Sequence, residues 1–175
     1  NSLWRSAVKA LEAALGKGSG DARPLDRRNI MVIGSGGLAK SMIFGIAKRK
    51  GLVSVTSSND KEAQALAVQM GVRFVPYANL YNTLSDVVVF ADPHMLLGGK
   101  KEEFNPGYLR ASMMALDVTT MPGVSPAMKE ARERGAKTVD PVDVYAEQLA
   151  TQFKSATGQD LPAADFRKEL TATAE

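Results

Sequence analysis

The sequence predicts an α/β fold, a doubly wound and mainly parallel sheet with helices on both faces, and three observations carry that prediction. Short, almost unbroken apolar runs at residues 30–33, 52–56, 87–91 and 115–118 alternate with longer stretches of helical periodicity. That is the pattern of strands buried on both faces between covering helices. Glycine or proline closes most of these segments, as at Gly51, Gly71, Pro76 and Gly158, where the chain must change direction. Finally, Gly34-Ser-Gly-Gly-Leu-Ala-Lys40 joins the first apolar run to the first long helical pattern, the strand–turn–helix junction from which such sheets are built.

Taken in order, Trp4, Val8, Leu11 and Leu15 mark one face of a lead-in helix. Gly16 to Gly20 stop it, and the polar stretch to Arg28 reads as a connector. Ile30–Ile33 is the first strand, Leu38–Lys50 a helix ended by Gly51, Leu52–Thr56 the second strand, and Asp60–Met70 a helix ended by Gly71. Val72–Val75 is a third strand closed by Pro76, Tyr77–Leu84 a short helix, and Val87–Ala91 and Ala115–Val118 two further strands. Ser125-Pro126 starts a helix to Arg134, with a serine cap and a first-turn proline. Lys137–Val139 is the last strand, and Asp140-Pro141 opens a long helix carrying Val142, Tyr145, Leu149 and Phe153 as far as Gly158. Ala163–Glu175 is a polar, helix-prone tail expected to fray. The chain thus divides into a lead-in helix and connector (1–20), a central α/β domain (21–160) and a helical tail (161–175). Met42, Met70, Met113 and Met114 are expected to fill core gaps.

The totals narrow the classes of function. At 175 residues the chain supports one domain with a real core. Its net charge of +3 comes from interleaved acids and bases, which allows mild attraction to phosphates and does not indicate a nucleic-acid groove. Without cysteine there is no disulfide, zinc-thiolate site or cysteine nucleophile, a composition suited to a reducing cytoplasm. No metal site is expected. No apolar run approaches the ~20 residues that span a membrane, and no signal peptide opens the chain. A chain that begins without methionine, directly in a helical pattern, is expected to be a piece of a longer protein.

The glycine turn carries the clearest chemistry. Gly34, Gly36 and Ala39 fit Gly-x-Gly-x-x-(Gly/Ala), the Rossmann-type turn that seats a dinucleotide pyrophosphate. Gly34 permits a tight turn, Gly36 lets the phosphates approach the backbone, and Ala39 lets the helix pack on its strand. The helix then offers free N–H groups to the anion. A strand-to-helix turn without a ligand is the plainer alternative. The second strand ends in Thr56, Ser57, Ser58 and Asn59, where binders of NAD usually place an acid for the ribose 2′-hydroxyl. This neutral tip does not repel a 2′-phosphate and so leans toward NADP, with NAD as the second option, although no arginine stands there. Asn59 and Asp60 are also natural helix caps, and for Asp60 capping is the stronger reading. His94, just past a buried strand, is either a ligand contact or an ordinary loop residue. Gln148 and Gln152 lie beside the apolar stripe of the long helix, facing solvent or a cleft.

These segments together resemble the NADP-binding half of shikimate dehydrogenases. The matching residues are Gly34-Ser-Gly-Gly-Leu-Ala-Lys40, Asp117-Val-Thr-Thr, Ser125-Pro-Ala-Met-Lys-Glu-Ala131, Gln148-Leu-Ala-Thr-Gln-Phe and Thr157-Gly158, with Asn1-Ser-Leu-Trp4 at the start. The resemblance covers almost the whole chain in order. It implies NADPH-dependent reduction of 3-dehydroshikimate in aromatic amino-acid biosynthesis, with an upstream substrate-binding domain in the same full-length chain and, in some organisms, fusion behind a dehydroquinate dehydratase. It assigns pyrophosphate contacts to Gly34, Ser35, Gly36, Gly37 and Leu38, the adenosine ribose end to Ser57, Ser58 and Asn59, and a substrate contact to Gln148. The departures are as specific. The family's catalytic aspartate falls at Leu3, its 2′-phosphate arginine at Ser58, and its Asn-Ala-Thr-Pro at Phe90-Ala91-Asp92-Pro93; an expected glycine is Pro141. No catalytic residue is therefore assigned, and the isolated chain is expected to be inactive. The rivals are a non-catalytic nucleotide-binding or docking domain, and an oxidoreductase of altered substrate in which Asp92 or His94 replaces the lost acid.

Overall fold

The computed structural model describes residues 2–16, 23–95, 104–119 and 123–172. In chain order the elements are α1 (Ser2–Leu15), β1 (Asn29–Ile33), α2 (Gly37–Ala47), β2 (Leu52–Thr56), α3 (Asp60–Met70), β3 (Arg73–Phe74), β4 (Val87–Phe90), β5 (Met114–Asp117), α4 (Pro126–Glu133), β6 (Lys137–Val139), α5 (Pro141–Thr157) and α6 (Ala163–Ala172). The six strands form one parallel sheet in the order β3-β2-β1-β4-β5-β6. The order reverses between β1 and β4, so the crevice beyond their C-terminal ends is the switch point of the sheet.

Alternation along the strands separates two apolar layers. Ile30, Val32, Val87, Val89 and Leu116 belong to one cluster, and Met31, Ile33, Val88, Phe90 and Ala115 to the other. Successive side chains point to opposite faces, so a strand apolar at every position must be covered twice. On the first face α2 and α3 supply Met42, Ile43, Ile46 and Leu66, while α1 and α5 supply Ala7, Val8, Leu11 and Val144. The lead-in helix thus shares the core of the sheet. Phe104 closes the other face, edge-on to Phe90 with ring centroids 4.8 Å apart.

The expected elements are present, with shifted ends. α2 stops at Ala47, three residues early, because its last turn tightens and Lys50 adopts φ 63°. Gly51 then leaves room for Ile46 and Ile30, which a Cβ there would approach to 2.6 and 2.7 Å. β3 shrinks to Arg73–Phe74, although the Val75 N–H still bonds the Val55 carbonyl at 2.9 Å. The expected helix at Tyr77–Leu84 is a 3-10 turn over Tyr77–Asn82. Gly45, unusual inside a helix, makes room for Trp4: a Cβ there would come 2.7 Å from the indole. Met42, Met113 and Met114 are buried and Met70 partly so, as gap-filling requires. Residues 17–22 of the connector and residues 173–175 of the tail lie outside the described residues.

Candidate functional site

The glycine turn sits at the switch point, bonded to the end of β2 and close against the end of β4. Gly34 donates to the Thr56 carbonyl at 2.8 Å, and its φ of 133° lies where side chains strain. A Cβ at Gly34 would lie 3.0 Å from both the carbonyl carbon and oxygen of Ala91. Glycine is therefore required there by the approach of β4's end, whatever binds. Gly36 and Gly37 differ. Gly36 caps α2 with φ −84° and ψ −168°, which any residue adopts, and a Cβ at either position would meet nothing within 4 Å. No side chain caps α2, and its first ladder bond is Lys40 N–H to the Gly36 carbonyl at 3.0 Å. The amides of Gly37, Leu38 and Ala39 precede that ladder, the position from which helix ends hold phosphate.

Across the crevice, the β2 tip meets the turn through side chains. The hydroxyl oxygens of Ser35 and Ser57 are 3.4 Å apart. Ser57 is buried and accepts the Asn59 N–H at 3.2 Å, while Ser58 and Asn59 are exposed. Asn59 is the cap of α3, its side-chain oxygen accepting the Glu62 N–H at 3.4 Å. The expected capping role of Asp60 does not hold: its carboxylate accepts the Tyr77 N–H at 2.8 Å, tying α3 to the 3-10 turn. Sequence reasoning also missed Glu62. The spacing Asn59-x-x-Glu62 signals a capping box, in which the glutamate returns to the cap N–H. Here Ser57 already holds that N–H, and Glu62 turns instead to accept the Ser35 hydroxyl at 2.8 Å. The tip read as neutral thus has a carboxylate beside it. Thr56, wholly buried at the end of β2, has a hydroxyl without a hydrogen-bond partner.

The remaining candidates are scattered. His94 is exposed in a single 3-10 turn, its N–H donating to the Asp92 carboxylate at 3.0 Å. On α5, Gln148 is half-buried and Gln152 exposed. Leu3 packs partly buried against the first apolar cluster; Asn1 lies outside the described residues. Asp117, which opens one of the matching segments but is given no role there, is a buried carboxylate that ends β5 and accepts both the N–H and the hydroxyl of Thr119 at 2.7 Å. Asp140, also buried, precedes α5; burial raises its pKa, against the pull of Arg132, whose guanidinium lies 2.6 Å away. No described helix is long and apolar enough to cross a membrane.

No family model matches the chain. Among curated proteins it is 28% identical over 136 residues to an NADP(+) shikimate dehydrogenase of Methanothrix thermoacetophila, covering 77% of this chain and 50% of that protein. It is 30% identical over 135 residues to a shikimate dehydrogenase-like protein of Haemophilus influenzae, covering 74% and 49%. A bifunctional 3-dehydroquinate dehydratase/shikimate dehydrogenase of Arabidopsis thaliana matches at 25% identity, covering 89% of this chain and 28% of that one. Of solved structures, a shikimate dehydrogenase in complex with NADP+ superposes with a TM-score of 0.80 at 23% identity, covering 99% of this chain and 61% of that one. A quinate dehydrogenase from Corynebacterium glutamicum in complex with NAD gives 0.78 at 22% identity, covering 98% and 62%. The chain spans about half the length of the first two curated relatives. In sequence, then, the chain is similar to shikimate dehydrogenases over about half of their length, and in fold it is a Rossmann-type domain.

Proposed function

We propose that this chain is the dinucleotide-holding domain of a shikimate dehydrogenase-like oxidoreductase, with NADP or NAD as the cofactor. The observation that carries the reading is the pair Gly36–Gly37: open space above uncapped amides, at glycines the fold itself does not require. The residues fit the group. The amides of Gly37 and Leu38 hold the pyrophosphate at the helix end; Ser57, Ser58 and Asn59 border the adenosine ribose; Leu38 and Ala39 keep α2 close to the sheet. Relatives that carry NADP+ and NAD support the choice of ligand. When bound, the nicotinamide supplies or accepts a hydride, in the family by reduction of 3-dehydroshikimate.

What the chain contributes is binding and orientation. Leu3, at the position of the family's catalytic aspartate, neither moves a proton nor bonds a substrate hydroxyl, and losing such a group costs roughly 10²–10⁴ in rate. The isolated chain is therefore expected to bind without turnover. Gln148 is proposed to contact substrate only once an upstream domain of the full-length protein covers it. Leu3 also favours a second reading, a nucleotide-binding domain that has left catalysis. Calorimetric titration of the chain with NADH and NADPH tests the proposal: saturable binding of at least one is expected, and no binding of either at millimolar concentration would refute it. Reduction of 3-dehydroshikimate by this chain alone would refute the claim of inactivity. Restoring Asp at position 3 in the full-length protein separates a decayed enzyme, which gains activity, from a binding domain, which does not.

A further inference from the structure

We propose that Glu62 sets the nucleotide preference of this site, favouring a dinucleotide with a free ribose 2′-hydroxyl over one with a 2′-phosphate. The inference rests on the dinucleotide reading above. Glu62, exposed on the first turn of α3, is freed from capping because Ser57 takes the Asn59 N–H. Its carboxylate instead accepts the Ser35 hydroxyl at 2.8 Å, and Ser35 lies 3.4 Å from Ser57. That chain of contacts fixes the carboxylate in the notch between the glycine turn and the β2 tip, where a dinucleotide threaded over the turn places its adenosine ribose. The groove there, about 590 Å³, is lined by Ser35, Gly36, Gly37, Lys40, Glu62 and Gln69, among others, and Lys40 and Glu62 are its charged members.

The two charges act differently on the two nucleotides. Lys40 stands in the first turn of α2, by the glycines, and attracts the pyrophosphate that both nucleotides share. Glu62 meets the end where they differ. A 2′-phosphate adds a charge of about −1.5 to −2 beside an anchored carboxylate, and no arginine stands at Ser57, Ser58 or Asn59 to offset it. A 2′-hydroxyl instead donates to that carboxylate, the usual use of an acid at this end of the fold.

The test is calorimetric titration of the 175-residue chain and of two variants with NADH and NADPH, read as dissociation constants without turnover. NADH is expected to bind at least about tenfold more tightly, the scale of one charge-assisted hydrogen bond. Glu62→Gln is expected to bring the two within about threefold by raising NADPH affinity, and Glu62→Arg to reverse the order. Glu62→Gln should unfold near the parent temperature, because Glu62 is exposed, and Glu62→Arg slightly below it, because a cation then replaces an acid in the first turn of α3. Added salt should narrow the gap in the parent and leave Glu62→Gln unmoved. Equal or tighter binding of NADPH by the parent, or a ratio unmoved by Glu62→Gln, would overturn the inference and leave the dinucleotide reading standing. Binding of neither nucleotide would overturn both.

Discussion

Replacing Gly36 by alanine separates what the ligand needs from what the fold needs. We predict that Gly36→Ala leaves stability nearly unchanged and weakens dinucleotide binding about 10- to 100-fold. The stability side follows from geometry. At φ −84° alanine is unstrained, and its Cβ meets nothing within 4 Å. Removing glycine's freedom in the unfolded chain stabilises by about 0.4–1 kcal/mol. Alanine is a poorer helix cap than glycine by a similar amount, so the two offset each other to within about 0.5 kcal/mol. On the binding side, the new methyl fills the space through which phosphate oxygens reach the amides of Gly37 and Leu38. One or two charge-assisted bonds at about 1.5–3 kcal/mol each are then lengthened or lost. Urea melts and calorimetry with NADH and NADPH, on parent and variant, measure the two quantities. Unchanged affinity together with unchanged stability would show that no phosphate lies over Gly36, and the argument would fail.

Four other substitutions probe the same structure. Gly34→Ala is predicted to cost about 2–4 kcal/mol, from a strained φ and a 3.0 Å contact with the Ala91 carbonyl; a urea midpoint equal to the parent's would refute it. Thr56→Val keeps the shape of a wholly buried side chain whose hydroxyl is unpartnered, so it should stabilise by about 1 kcal/mol, and a loss of that size would reveal a hidden partner. Ser125→Ala removes the cap that accepts the Met128 N–H at 3.3 Å and is predicted to cost about 1 kcal/mol; no loss would mean that Pro126 alone starts the helix. For Asp140, burial raises the folded pKa above the usual 3.8, so the folded state keeps its proton to higher pH than the unfolded one. Stability should therefore fall as pH rises from about 3.8 through the folded value. Asp140→Asn should flatten that fall and match or exceed the parent at neutral pH, whereas a variant much weaker at pH 7 would show that the ion pair with Arg132 dominates.

Much of the fold was legible because its signals are local. Leu52–Thr56, Asp60–Met70 and Lys137–Val139 lie where alternation and glycine placed them, and Gly71 and Gly158 end their helices in the left-handed conformation expected of them. What was not legible depends on contacts distant in sequence. The early end of α2 comes with a tightened last turn and a left-handed Lys50, and the 3-10 turn at Tyr77–Asn82 is tied at its start to Asp60, seventeen residues earlier, neither of which a periodicity window reads. The same holds for the site. The glycine turn was readable as a pattern, but the role of Glu62 was not. Its direction depends on a competition in which Ser57, five residues earlier, captures the N–H that a capping glutamate would take. Nor does the sequence show that Asp60 turns away from its own helix toward Tyr77.

The glycines also show how little a motif proves until each member is asked what it is for. Gly34, Gly45 and Gly51 are demanded by Ala91, by Trp4, and by Ile46 and Ile30; a protein with this fold and no ligand needs them equally. Gly36 and Gly37 answer to no neighbour. A side chain at either would be tolerated by the fold, and glycine there costs conformational entropy on folding. Leu3 is the reverse case: packing on the first apolar cluster accounts for it, and under the proposed function it stands where the family's reaction asks for an acid. Under the proposed function, one end of the site keeps two glycines that steric packing does not require, and the other carries a leucine that packing accounts for. On that reading binding and turnover are separable in this chain, and the affinity of the glycine turn is informative whether or not any reaction follows.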